Sequence, residues 1–180
     1  MMKQENTQTF AASIQDFRLP RYQEIPNVGL YLEQATKYIC SYLAPLEEFA
    51  LTSSMISNYV KKGLISNPIK KQYSRDQIAY LFFIAVGKSV LSLDALANFI
   101  RLQQRTYPMQ KAYDYFCEEL ENVLQFTFEI KDIIELRGED SSYEKRLLYT
   151  CIVAAVQKVY LEKCLEAIAG SAETETQSKI

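Results

Sequence analysis

Residues 51–78 read LTSSMISNYVKKGLISNPIKKQYSRDQI, and this stretch decides the fold. Thr52 is a favourable N-cap for a helix over residues 53–62, and Gly63 stands where a left-handed residue commonly ends a helix. We predict that the inner face of this helix consists of Met55, Ile56, Tyr59 and Val60. A second helix begins at the capping box formed by Ser74 and Gln77.

A short basic segment, residues 64–73, connects these two helices. Asn67 and Pro68 both favour turns, so we predict a small β-hairpin whose turn lies near them. The segment is too short for a separate sheet. The stretch therefore predicts the order helix, hairpin, helix.

Helical periodicity continues on both sides of this stretch. Apolar residues recur at three- and four-residue spacing over residues 29–43, and Pro45 closes that helix. Further helices are predicted from Ser92, from Pro108 over residues 108–136, and from Ser141 or Ser142 over residues 143–169. Only 5 glycines and 5 prolines occur in 180 residues, which is few for a β-rich protein. The predicted fold class is all-α, with a small hairpin and two packed, long C-terminal helices.

The chain divides into four parts. Residues 1–24 are polar and interrupted by Pro20, so we expect a flexible arm whose docking residues are Phe17 and Leu19. Residues 25–105 form a first helical domain. Residues 106–170, which end at Gly170, form a C-terminal helical region, and the Ser/Thr/Glu-rich residues 171–180 form a disordered tail.

Charge is distributed unevenly along the chain. The formal net charge is −2 and the isoelectric point is about 5.4. Residues 52–75 nevertheless carry five basic residues and no acidic one, whereas residues 113–169 carry 12 acidic and 6 basic residues. This asymmetry is typical of a basic working surface on an acidic body. The alternative interpretation is that the basic stretch and the acidic stretch are both ordinary solvent-exposed surfaces without a binding role.

Several classes of function lack the residues they need. There is no histidine, and the four cysteines, Cys40, Cys117, Cys151 and Cys164, include no pair at C-x-x-C spacing. Zinc-finger and Cys/His catalytic sites therefore lack ligands. The most apolar run, residues 147–156, is about half of a membrane span. We expect a cytoplasmic protein that is not an enzyme and that uses no metal and no cofactor.

The outer face of the helix over residues 53–62 is built from small polar residues, namely Ser53, Ser54, Ser57 and Asn58. Small side chains let a helix backbone approach base edges in the major groove, and an asparagine amide can pair with adenine. The residues suited to phosphates are Lys61, Lys62, Lys70, Lys71 and Arg75, because phosphates need charge but little geometry. These residues alone are equally compatible with an ordinary surface helix followed by a basic loop that does not bind DNA.

Several phrases together resemble the winged helix-turn-helix of the MerR-type regulators. That family's Tyr-x-x-x-Gly-Leu-[LI] phrase is matched here from Tyr59 to Ile65. Its wing ending, Tyr-[ST], is matched by Tyr73 and Ser74, and its later Ser-Leu phrase by Ser92 and Leu93. The resemblance covers about residues 46–100, and it implies that the first domain, residues 25–105, is a MerR-like winged helix-turn-helix domain. The whole chain is further similar to a bacterial family of unknown function whose members are described as transcription factors.

The resemblance implies a DNA-binding transcriptional regulator. The recognition helix, residues 53–62, would enter the major groove, and the basic wing, residues 66–73, would lie on phosphates. Tyr73 would anchor the wing on the core, with its hydroxyl group reaching a phosphate. The chain departs from the MerR pattern at Pro45, which interrupts the usual approach to the recognition helix. It also lacks the long regular coiled coil of that family, which leaves the dimer geometry open.

The expected partners are double-stranded DNA and a second copy of the chain, because one small motif buries too little surface for tight, specific binding. The helices over residues 108–136 and 143–169 form the dimerisation or effector-binding region. Their aromatic residues suit either an effector pocket or a packed core, and their spacing favours the core. The alternative function is a protein-interaction module that reuses a helix-turn-helix without specific DNA binding.

Overall fold

Helices dominate the part of the chain that this computed structural model describes, residues 9–131 and 142–177. The helices are α1 (residues 9–14), α2 (Leu32–Leu43), α3 (Ser53–Lys61), α4 (Arg75–Gly87), α5 (Leu93–Thr106), α6 (Met109–Thr127) and α7 (Tyr143–Gln177). Single 3-10 turns lie at Tyr22–Glu24 and Glu47–Phe49. The predicted all-α class is confirmed.

The predicted helix signals of the central stretch are confirmed. The Thr52 side chain accepts a hydrogen bond from the Met55 backbone amide, so it caps α3. Gly63 takes a left-handed φ of 70°, and the next amide donates to the Tyr59 carbonyl oxygen at 2.9 Å, which closes the helix end. Ser74 and Gln77 form the reciprocal capping box that begins α4.

The predicted hairpin turn near Asn67 and Pro68 is wrong. The turn lies at Lys70 and Lys71, which have φ angles of 51° and 65°, and a bridge joins the flanking residues Ile69 and Gln72. The strand that follows, β2 (Gln72–Tyr73), pairs antiparallel with β1 (Leu30–Tyr31), which precedes α2. The segment thus belongs to a two-stranded sheet whose other strand is distant in sequence. The periodicity predicts that this helix begins at residue 29. Because residues 30 and 31 form β1, α2 begins at Leu32 instead.

Helix α4 forms the centre of the hydrophobic core. It packs against α2, α5, α6 and α7, and it is buried on nearly every side. Phe82, in its middle, is fully buried and lies in edge contact with the rings of Tyr38 and Tyr42 on α2. This central helix fixes the position of α2, on which α3 rests.

From residue 9 onward, the segment expected to be a flexible arm is packed on α6. Phe17 and Leu19 are buried, as docking residues would be. The Arg21 guanidinium forms a two-pronged ion pair with the Glu121 carboxylate, at 2.6 and 2.7 Å, and this carboxylate raises the pKa of Arg21. Ile14 is buried as well. Three buried apolar side chains and the ion pair of Arg21 with Glu121 therefore hold this segment on the core.

Both long C-terminal helices end at positions that differ from the predicted ones. Helix α6 stops at Thr127, because Glu129 adopts a left-handed φ of 58° just beyond it. The predicted part beyond residue 131, together with Ser141, lies outside the described residues. Ser142 accepts a hydrogen bond from the Lys145 amide and so caps α7.

Helix α7 continues through Gly170 to Gln177, so the predicted helix end and the disordered tail from residue 171 are wrong as far as residue 177. One internal glycine costs a helix only about 1 kcal/mol, and no proline follows. Within residues 9–131 and 142–177, no helix is both long and apolar enough to cross a membrane.

Candidate nucleic-acid interface

Helix α3 has one anchored face and one open face. Ile56 and Tyr59 are buried against the core, and burial raises the pKa of Tyr59, which keeps its hydroxyl neutral. Met55, expected on this inner face, is 37% exposed, because it lies about 70° of helix rotation from the line midway between Ile56 and Tyr59. The predicted inward position of Met55 is therefore wrong.

The open face of α3 carries small polar side chains. Ser54, Ser57 and Asn58 are exposed, together with Lys61 and the adjoining Lys62. Among the described residues, no side chain forms a hydrogen bond with the side chains of Ser57 and Asn58. These donors and acceptors therefore remain available to an external partner.

Ser53 has a different environment from the other three residues of the predicted groove-facing set. Its hydroxyl lies 3.1 Å from that of Thr36 on α2, and the residue is half-buried. The hydrogen bond joins the first turn of α3 to the preceding helix. Ser53 thus helps to orient α3, and its hydroxyl is already engaged.

Lys70 and Lys71 form the exposed tip of the turn between α3 and α4. Both take left-handed backbone conformations, as the central residues of a type I′ turn must. Such a conformation costs a residue with a side chain about 1–2 kcal/mol. In the part of the chain that the structure describes, neither these two lysines nor Lys61 and Lys62 form an ion pair. Four cations therefore lie close in sequence and open to solvent.

Gln77 holds this basic turn against α4. Its side-chain amide group donates to the carbonyl oxygen of Ser66 at 2.8 Å, while its oxygen accepts from the Ser74 amide at 2.9 Å. The sequence predicts only the second of these bonds, as part of the capping box. The capping box uses only the side-chain oxygen of Gln77. Its NH2 group therefore needs another acceptor, and this need is the sequence signal for the bond to Ser66. Gln77 therefore fixes the base of the turn and the start of α4 together.

Tyr73 anchors the turn on its other side. Its side chain is almost fully buried, and burial raises the pKa of its hydroxyl group. The predicted anchoring role agrees with this environment. The contact of its hydroxyl with a phosphate stays a prediction.

Arg75, predicted to hold a phosphate, is engaged within the fold. Its Nε donates to the Ile25 carbonyl oxygen at 2.9 Å, and its Nη1 donates to Gln23 Oε1 at 3.0 Å. The guanidinium also lies over the Tyr22 ring, whose hydroxyl donates a hydrogen bond to Asp76. Arg75 thus connects the segment before β1 to the start of α4.

Two exposed apolar side chains flank the basic turn. Tyr31 and Ile69 both pair with Gln72, one on each side of it. Directly paired residues of antiparallel strands project from the same face of a sheet. Tyr31 is 52% exposed and Ile69 is 79% exposed. The sheet therefore presents a small apolar patch beside the lysines. Sequence periodicity does not indicate this patch, because the pairing depends on a distant strand.

No cluster of three side chains suited to a metal ion occurs in residues 9–131 and 142–177. A comparison with protein families gives one match, to the family described as Domain of unknown function (DUF1836), over residues 20–116. This span is just over half of the chain and includes α3, the basic turn and the sheet. No MerR or other winged helix-turn-helix family matches. No curated protein and no solved structure matches the chain.

Proposed function

The chain belongs to the DUF1836 family, and we propose that this member is a DNA-binding transcriptional regulator. The observation that carries the proposal is the open face of α3 together with the basic turn that follows it in the chain. Small polar side chains and four exposed lysines without ion-pair partners among the described residues lie within one short stretch. The buried face of α3 holds this stretch on the core.

Helix α3 is suited to the major groove, which admits one α-helix. Ser54 and Ser57 are short enough to let the backbone come near the base edges. Asn58 offers an amide that can bind adenine through two hydrogen bonds. In the proposed complex these three side chains contact bases.

The basic turn is suited to the DNA backbone. Lys70 and Lys71 project from a turn that is fixed at its base by Gln77 and Tyr73. Lys61 and Lys62 lie at the end of α3, near the start of this turn in sequence. Lysines bind phosphates as point charges and carry no sequence preference. In the proposed complex these lysines provide affinity and fix the position of the protein along the duplex, while α3 provides sequence specificity.

The second copy required for tight binding would pair through α7. Leu161, Leu165 and Ile168 are about half exposed and recur at four- and three-residue spacing. The buried residues Ile152, Val156 and Val159 lie on the opposite side of the helix, since successive residues are about 100° apart. This apolar stripe has the spacing of a two-helix seam, which supports a homodimer.

A protein-interaction module is the second candidate. The apolar patch of Tyr31 and Ile69 favours it, because exposed aromatic and aliphatic side chains are common in protein interfaces. Binding to a protein through this patch would depend weakly on salt. Binding to DNA through lysines would depend on it strongly.

Salt dependence therefore separates the two candidates. The purified chain would be titrated with mixed genomic duplex fragments at about 50 and 200 mM salt, where a dimer that contacts about 6–10 phosphates loses ~10³–10⁵ in affinity. A loss in that range supports the regulator, and the bound fragments then identify the operator by sequencing. No binding at the lower salt concentration rejects it.

A further inference from the structure

The two-stranded sheet of β1 and β2 has one face on the core and one open face. Leu30 and Tyr73 pair directly and lie on the inner face, where Tyr73 is buried. The open face carries Tyr31, Gln72 and Ile69, which lie side by side because Gln72 pairs with each of the other two. The solvent-facing side of an antiparallel sheet is usually polar. Here both outer positions of that side are apolar.

The polar side chain of the open face is less exposed than its apolar neighbours. Gln72 is half-buried and lies over Gly29, where an added Cβ atom would be 2.6 Å from Gln72 Cβ. Ile69 is 79% exposed, which is the highest exposure of any large apolar side chain among the described residues. A single exposed aliphatic residue is common on protein surfaces. The position of Ile69, rather than its exposure alone, therefore has to indicate a role.

Ile69 directly precedes the two lysines of the basic turn. Lys70 and Lys71 have left-handed φ angles of 51° and 65°, which asparagine and glycine adopt at a lower cost. Strained backbone conformations of this kind are concentrated at functional sites. The turn thus holds two strained cations next to an exposed apolar side chain, a combination that stability alone does not favour.

The charge around Ile69 is suited to a polyanion. Residues 52–75 contain no acidic residue. Glu33, the acid nearest to Tyr31 in sequence, follows β1, and β2 lies between β1 and Ile69. Duplex DNA has phosphates on both sides of a minor groove about 6 Å wide, and proteins that bend DNA insert aliphatic side chains between base pairs from this groove. An isoleucine followed by two lysines meets both requirements.

We propose that Ile69 is a wedge that enters the minor groove and partly unstacks one base-pair step, while Lys70 and Lys71 bind the phosphates beside it. This inference rests on the proposed function, in which the basic turn lies on DNA. Unstacking costs free energy, and the bent duplex that results contacts more of the protein surface. Specificity then includes easily unstacked steps, such as TA, that α3 does not contact.

The test compares two duplexes of about 30 base pairs, long enough for two half-sites, that differ only in one central C·C mismatch. A mismatch removes part of the unstacking cost before the protein binds. At about 50 mM salt, the wild type should therefore bind the mismatched duplex roughly tenfold more tightly than the paired one. I69S should bind the two duplexes with affinities within about twofold of each other. Circular dichroism would confirm that this exposed substitution leaves the chain folded.

A second readout reports the unstacking itself. The fluorescence of 2-aminopurine, placed next to the mismatch, increases when the base loses its stacking. It should rise on addition of the wild type and not on addition of I69S. The matched control is V28S, which alters another apolar side chain, 73% exposed, that lies outside both β1 and the basic turn. V28S should keep both the preference and the rise in fluorescence.

The outcomes separate this inference from the proposed function. If the wild type binds neither duplex, the proposed function fails and the wedge fails with it. Equal binding of both duplexes by the wild type, or a preference that I69S keeps, would overturn the wedge alone. The apolar patch of Tyr31 and Ile69 would then remain for a protein partner. A loss of preference in V28S as large as that in I69S would also overturn the wedge, because the effect would not be specific to the basic turn.

Discussion

Lys163 of α7 donates a hydrogen bond to Glu48, with 2.8 Å between Nζ and Oε1. Glu48 lies in the 3-10 turn that leads into α3, and both side chains are largely buried. Lys163 is two residues, or about 200° of helix rotation, from both Leu161 and Leu165. One side of α7 thus contacts the segment before the proposed recognition helix, and the other side carries the proposed dimer seam. A dimer formed through α7 would therefore set the separation of two α3 helices.

The first prediction concerns the stability that this ion pair provides. K163M leaves the Glu48 carboxylate partly buried without its cation, and Glu48 Oε2 already has no hydrogen-bond partner among the described residues. We expect the free energy of unfolding to fall by about 1–3 kcal/mol in urea denaturation. The matched control is K158M, which removes an exposed pair with Glu162 and should cost about 0.5 kcal/mol or less. Equal losses in the two variants would contradict the structural role of Lys163.

The pKa of Lys163 determines the pH at which this loss of stability should be measured. The hydrogen bond to Glu48 is the main cause that raises the pKa of Lys163 above its ordinary value. A group with a raised pKa in the folded state stabilises the fold fully below its unfolded pKa, about 10.4 for lysine, and loses this contribution as the pH rises through the folded value. The lysine contribution is therefore fully present near neutral pH.

The second prediction concerns the apolar stripe of α7. L161D/L165D places carboxylates in the proposed seam, so it should convert a dimer into a monomer without loss of helix content. Sedimentation equilibrium would measure the mass. The control is F126D, which alters an exposed aromatic residue on α6 and should leave the mass unchanged. A wild-type monomer, or a dimeric L161D/L165D, would reject the seam.

The third prediction separates the shape of the basic turn from its charge. K70N/K71G introduces the two residues that a type I′ turn prefers, and it removes two cations. The melting temperature should rise, because the left-handed conformations of Lys70 and Lys71 cost about 1–2 kcal/mol each. DNA affinity should fall in the same variant. A variant that gains stability and keeps its full DNA affinity would show that these lysines do not contact DNA.

The fourth prediction concerns alkaline pH. Cys117 is fully buried, and burial raises the pKa of its thiol to about 12. The unfolded thiol ionises near pH 8.5, so the folded state binds more protons above that pH, and stability falls by about 1.4 kcal/mol per pH unit for this group. C117A should lose less stability than the wild type between about pH 9 and 11. Parallel stability curves, measured by urea denaturation, would contradict this assignment.

Local signals account for the parts of the fold that the sequence predicts well. Thr52, Gly63 and the capping box of Ser74 and Gln77 each act within a few residues, and the sequence places all of them correctly. The open face of α3 follows from the same helical periodicity.

Longer-range contacts account for the rest. The pairing of Leu30 with Tyr73 joins segments on either side of α2 and α3, and no local pattern indicates it. The turn at Lys70 and Lys71 contradicts residue preference, since lysine seldom adopts a left-handed conformation. The inward hydrogen bonds of Arg75 depend on a carbonyl oxygen that is distant in sequence. Such features follow from tertiary packing, which periodicity does not describe.

DNA binding by charge-reversed variants would decide whether the basic turn lies on DNA. K70E/K71E reverses two exposed charges in the turn, and the control R101E/R146E reverses two exposed charges on α5 and α7. At about 50 mM salt, K70E/K71E should bind genomic duplex fragments at least roughly a hundredfold more weakly than the wild type, because a dimer loses four phosphate contacts. The control should stay close to the wild type. A folded K70E/K71E that binds as the wild type does, or an equal loss in the control, would contradict the proposed interface.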